Sequence, residues 1–141
     1  MGHVHAQLVL KNAGDVIQAK KRELPDSDVR QVTVTAMVDT GASSFVINKE
    51  IFEELGLETM GEREVSLAND AREVCILTEP LEIHWEDRSF VMSTLVVENA
   101  KDILMGVIPL EGMDLMVDTV NQRLVGAHGD RQKFFVVGVR G

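Results

Sequence analysis

The stretch Met37-Val-Asp-Thr-Gly-Ala-Ser-Ser-Phe-Val-Ile47 drives an apolar run straight into Asp39-Thr40-Gly41 and leaves through small residues into a second apolar run. An aspartate at the end of a β-rich run opens a turn or caps a helix. It can also be a catalytic carboxylate. Hydrolysis of an amide without a covalent intermediate needs a general base to activate water and a general acid to protonate the departing nitrogen. Two carboxylates sharing one proton supply both, because like charges at contact distance do not both ionise cheaply. The chain offers one such motif.

Other residues with chemical potential are fewer. Asp118-Thr119 repeats the first two letters, but Val120 replaces the glycine and Asn121-Gln122 makes a hairpin turn, so Asp118 reads as structural. His3 and His5 lie near a terminus, and His84 and His128 have no ligand partners close in sequence. No metal and no cofactor is expected. The lone Cys75 allows no intrachain disulfide and reads as a buried thiol.

The elements that must position Asp39 read as mostly β, in short runs of Val, Ile, Leu and Thr parted by Asn, Gly, Asp and Pro. Strands are expected near Ala6–Leu10, Val16–Ala19, Val29–Val38, Phe45–Ile47, Glu64–Leu67, Glu73–Thr78, Leu81–Trp85, Ser89–Val97, Leu115–Thr119, Arg123–Val125 and Lys133–Val139. The Lys-Asn-Ala-Gly-Asp segment ending at Asp15 reads as a first hairpin turn. Helical spacing of Ile51, Phe52 and Leu55, with Asn48 as cap and Gly56 as terminator, predicts one helix. A second, weaker signal starts after Gly106, with Pro109 in its first turn. Ile103-Leu104-Met105-Gly106 faintly echoes the Asp39 motif and places Leu104 where the first copy has its carboxylate.

At 141 residues, with 45% hydrophobic content, the chain (1–141) is expected to form one domain with a real core. Fourteen basic against 23 acidic side chains give a net charge of −9, which repels nucleic acid and anionic membranes. The longest apolar runs are too short to span a bilayer, and the N-terminal residues lack a signal-peptide pattern, so a cytoplasmic location is expected.

From about Val29 to Val125 the sequence resembles the aspartic proteases, and within them the single-domain retropepsin-like proteins of retroviruses and bacteria. Four features carry the likeness in order: the strand into Asp39-Thr40-Gly41-Ala42-Ser43, the following strand and helix, a hairpin-like Val65–Leu77 segment, and the Ile103–Gly106 element with its helix and closing hairpin. The resemblance implies an all-β, acid-protease closed β-barrel with one or two short helices, and a homodimer acting on a peptide or protein substrate. Asp39 and its symmetry mate would activate water. Thr40 would tie the two motif loops together, and Gly41 would let the backbone turn and offer its carbonyl to substrate. Ala42 and Ser43 would lie beside the carboxylate. Asn69, Asp70 and Ala71 would be the tip of a flap, while Leu104, Met105 and Val107 would wall the pockets. Ser43 and Val107 stand where retroviral members carry an acid and an arginine. The terminal Lys133–Val139 run would join an intersubunit sheet. A peptide-binding or dimerisation module without hydrolysis is the alternative reading of the same fold.

Overall fold

The computed structural model describes residues 3–66 and 69–135. Strand β1 (Val4–Asn12) alternates strictly, burying Val4, Ala6, Leu8 and Leu10 while His5 and Gln7 face solvent. That period of two fixes one core face. β2 (Gln31–Val38) pairs antiparallel with it from Val4 opposite Val38 to Lys11 opposite Gln31, so Val34, Ala36 and Val38 join the same face.

Next along the chain come β3 (Phe45–Ile47), helix α2 (Lys49–Glu54), β4 (Thr59–Ser66), β5 (Arg72–Thr78), β6 (Leu81–Trp85), β7 (Arg88–Met92), β8 (Leu95–Val96), β9 (Ile103–Met105), helix α3 (Val107–Gly112), β10 (Leu115–Asp118) and β11 (Arg123–Gly126). Helix α1 (Ala13–Lys20) sits between β1 and β2. Nine strands form one sheet in the order β4-β5-β8-β3-β9-β2-β1-β6-β7, and β10 pairs with β11. The all-β acid-protease architecture therefore holds. It takes the form of a curled half-barrel whose edge strands are β4 and β7.

The feature that positions the site is the place of β9. It lies parallel to β2 (Ala36 opposite Ile103, Val38 opposite Met105) and antiparallel to β3 (Phe45 opposite Met105). The strands on either side of the Asp39 motif thus flank β9, and the connecting loop has to arch over its end. Phe45, Ile47, Leu55, Leu81, Ile83, Met105 and Met113 are fully buried and hold this arrangement from below. Each such side chain contributes about 1.5–3 kcal/mol on burial.

Several expectations are corrected. Val16–Ala19 is helix rather than strand, and the segment ending at Asp15 is a helix start rather than a hairpin turn. The cause is a cap held by distant partners: Asn12 accepts the Asp15 amide at 3.0 Å as an N-cap, and its own Nδ2 donates to the Leu55 carbonyl at 2.9 Å. Asp15 then receives Arg30 through Nε at 2.8 Å and Nη2 at 2.9 Å. The described residues accordingly hold three short α-helices, not one or two. The single run expected over Ser89–Val97 is split into β7 and β8, at opposite sides of β1 in the sheet, by a buried link in which Thr78 and Thr94 hydroxyls meet at 3.0 Å. Lys133–Phe135 is not a strand, and the rest of that expected strand lies outside the described residues. So does Leu67 at the end of the expected Glu64–Leu67 strand.

Candidate active site

Asp39 follows the last residue of β2 and is tied to β9 by its amide, which donates to the Met105 carbonyl at 3.0 Å. Its Oδ1 accepts the Gly41 amide at 2.9 Å, and its carbonyl accepts the Ala42 amide at 3.1 Å. An aspartate folding its side chain onto the backbone two residues ahead sharpens the turn without a left-handed residue. Space at Gly41 is tight: a Cβ there would stand 3.2 Å from Asp39 Oδ1, so that carboxyl would have to shift slightly to accept one.

The outgoing half of the loop docks on the start of α3. Gly106, Val107 and Ile108 amides donate in succession to the carbonyls of Ser44 (2.8 Å), Ala42 (2.9 Å) and Ser43 (2.9 Å). These are amides that a helix N-terminus leaves without internal partners, so the loop satisfies the helix and the helix fixes the loop. Gly106 makes the approach possible. A Cβ on it would lie 2.6 Å from both the Ala42 and the Ser44 carbonyl oxygens, which are backbone atoms with nowhere to go.

Above the loop opens a cleft of about 550 Å³. Asp39, Gly41, Ala42, Ser43 and Ser44 line one end, and Val46, Leu95, Val97, Ala100 and Leu104 form apolar walls. Val65 and Ser66 reach it from β4, the first strand of the β4–β5 hairpin. Asp39 is half-buried at this wall, and among the described residues it makes no ion pair.

The expected residues divide clearly. Asp39, Gly41, Ala42, Ser43 and Leu104 meet at the cleft. Thr40 is exposed beside them. Asn69, Asp70 and Ala71 form the turn of the β4–β5 hairpin, with the Ala71 amide donating to Asn69 Oδ1 at 3.0 Å and Asp70 at φ +65°, but they do not line the cleft. Met105 was expected as a wall and is instead a core residue, fully buried opposite Phe45. Val107 begins α3 and lies outside the lining. The sequence reading missed Val46, whose strand neighbours Phe45 and Ile47 point into the core, a plain period-two signal. It also missed Leu95, Val97 and Ala100, which depend on where β8 is placed.

Asp118 is a turn residue, accepting the Val120 and Asn121 amides at 3.1 and 3.2 Å. Among the described residues no group of three or more His, Cys, Asp or Glu is arranged to hold a metal ion, and no helix is long and apolar enough to cross a membrane.

A family described as aspartyl protease matches residues 26–107, which take in the Asp39 loop, the β4–β5 hairpin and the Gly106 turn. The chain belongs to the aspartyl protease family. A solved structure similar to this aspartyl protease family member shares its fold. The chain superimposes on the crystal structure of the retroviral protease-like domain of Ddi1 from Leishmania major with a TM-score of 0.55 and 16% identity, covering 89% of this chain and 88% of that one. A retropepsin-like aspartic protease from Rickettsia conorii is also similar, with a TM-score of 0.42, 17% identity and coverage of 84% and 89%. A comparison with curated proteins gave no match. In this family member β1 and α1 precede the matched segment, yet β1 is the partner that holds β2 along its whole length.

Proposed function

We propose that the chain is an aspartic endopeptidase, a single cytoplasmic domain that works as a homodimer. The observation that carries this reading is the Asp39 carboxyl, half-buried at the end of an apolar cleft and held by the Gly41 amide through Oδ1 alone. It is one half of an acid–base pair. A second copy facing it would bring two carboxylates together, one ionised and one protonated, and Thr40, exposed beside it, would meet its counterpart at the same contact.

In that dimer the ionised carboxyl takes a proton from a water held between the two, and the water oxygen attacks the peptide carbonyl. The protonated carboxyl stabilises the oxygen that becomes negative. The departing nitrogen then receives a proton as the C–N bond breaks. An extended peptide would lie beneath the β4–β5 hairpin, hydrogen-bonding by its backbone and setting alternate side chains on Val46, Leu95, Val97 and Leu104. The Asn69–Ala71 turn would be the tip that opens for entry. Ser43 leaves this end of the cleft without the acid of retroviral members, which favours substrates without a positive charge there.

Sharing of one proton places the activity at acidic to mildly acidic pH. The test is cleavage of casein and of a peptide library by the purified chain and by an Asp39→Asn variant, with and without a statine-type inhibitor. Cleavage by the parent alone, blocked by the inhibitor, is expected. Equal cleavage by both proteins would overturn the assignment, and cleavage by neither would favour a peptide-binding module on the same fold.

A further inference from the structure

A second concavity, of about 310 Å³, lies between α2 and β5 and shares no residue with the Asp39 cleft. Its floor is apolar. Cys75 and Val96 are buried there, with Phe52 and Ile76 half-buried beside them. Its rim is acidic: Glu53, Glu73 and Glu98 stand exposed with a single cation, Lys49, which is already 3.7 Å from Glu98. Among the described residues Glu53 and Glu73 have no ion-pair partner.

One wall of this groove is a strand edge. β5 pairs with β4 from Arg72 to Thr78, but with β8 only at Ile76 and Leu77. After Val96 the chain turns toward β3, where the Val97 amide donates to the Ile47 carbonyl at 2.9 Å. Glu73, Val74 and Cys75 therefore have no strand partner on that side among the described residues, and Val74 is 61% exposed. An unpaired edge is a template for another strand, and here it faces a helix across an apolar trough of the size that takes a small ligand or a few side chains. Cys75 does not make it a covalent site: burial, and then the charge of Glu73, push its thiol pKa up and keep it neutral.

The geometry points to a docking site for an extended segment of a basic, partly apolar polypeptide, added as a strand to the free edge of β5. Its lysine or arginine heads meet Glu53 and Glu73, and its apolar side chains lie on Phe52, Ile76 and Val96. Charge decides the occupant. A second copy of this chain would bring its own net charge of −9 to an acidic rim, whereas a basic segment finds two carboxylates unmatched. Because β5 pairs with β4, whose Val65 and Ser66 line the Asp39 cleft, the docked segment would brace that hairpin from outside the cleft.

The experiment is fluorescence anisotropy with a labelled Lys-Val-Arg-Val-Lys peptide and its Glu-Val-Asp-Val-Glu counterpart, using the full chain carrying Asp39→Asn so that no peptide is consumed. Binding of the basic peptide alone is expected, weakened about tenfold or more by Glu53→Lys with Glu73→Lys, both exposed positions, and weakened again from about 50 mM to about 500 mM NaCl. Backbone amide shifts on titration should centre on residues 73–76 and 96–98. Equal binding of the two peptides, full binding by the double variant, or shifts centred on Asp39 and Leu104 would overturn the proposal. The salt dependence stands as a readout even if the double variant folds poorly. Loss of the protease reading would leave this result unaffected, since no arm depends on cleavage.

Discussion

Asp39, just after β2, and Asp114, between α3 and β10, are treated in opposite ways. Asp114, at φ +55° and only 5% exposed, has every oxygen engaged. His128 Nδ1 donates to Oδ1 at 2.6 Å, the Lys133 amide donates to Oδ2 at 3.1 Å, and the Ala127 amide donates to its carbonyl at 2.8 Å. Buried Arg88 closes the cluster, donating to the Met113, Asp114 and Gly129 carbonyls at 3.1, 2.6 and 2.7 Å. The Asp39 carboxyl has one amide on one of its two oxygens and a cleft in front of it. A carboxylate committed on all sides holds structure; one left with an open side can do chemistry. The difference follows from surroundings, since the residue type is the same.

The largest break in this comparison is Asp39→Asn, which keeps the oxygen that accepts the Gly41 amide but removes the carboxyl. Cleavage should fall by about 10²–10⁴-fold while the melting temperature stays close to the parent's, as read by peptide assay and calorimetry. Gly106→Ala acts on the frame instead. The added methyl meets two carbonyl oxygens at 2.6 Å, so a loss of about 1–3 kcal/mol in urea unfolding is expected, with activity lost alongside. Asp114→Ala should do the reverse of Asp39→Asn: a clear drop in melting temperature, since buried Arg88 and His128 lose a partner, with the Asp39 cleft untouched chemically.

Acid sharpens the same contrast. The His128 bond first, and the Lys133 amide and Arg88 charge after it, hold the Asp114 carboxyl below its ordinary range, and the Arg30 bond does so for Asp15. Between the folded and unfolded values the unfolded chain binds more protons, so stability rises with pH across that interval. Their contribution is fully present above about pH 4 and is lost as pH falls through the depressed folded values. Melting temperature should therefore hold through the mildly acidic range where the shared-proton chemistry operates, then fall more steeply below it, and Asp114→Asn should flatten that fall. The smallest effect belongs to the β7 edge. Gln132 clips it by accepting the Ser89 amide at 3.1 Å and donating to the Ser89 carbonyl at 2.8 Å, so Gln132→Ala should cost about 1 kcal/mol in urea unfolding and leave cleavage intact.

How much of this was legible depends on the range of the interactions. β3, β6 and α2 follow from neighbouring residues, and Asn48 and Gly56 do cap and terminate α2 as their types require, with Gly56 at φ +62°. The Asp39 loop and Gly106 were legible as a pair because both sit at the ends of short apolar runs. Helix α1 was not, because Asn12-Ala13-Gly14-Asp15 satisfies a turn as well as a cap, and the choice rests on Arg30 and Leu55 far along the chain. The same holds for His128, whose partner Asp114 lies fourteen residues away across the β10–β11 hairpin. The cleft walls Leu95, Val97 and Ala100 depend on the chain crossing at Thr78 and Thr94, which no local pattern announces.

The most direct test of the central claim is a mixing experiment: cleavage at a fixed amount of parent chain, followed as excess Asp39→Asn protein is added and allowed to exchange. If each chain supplies half of the acid–base pair, mixed dimers carry one carboxyl and are inactive, so the rate should fall toward zero as the variant takes up parent chains. A rate that stays constant under a large excess of freely exchanging variant would contradict the account.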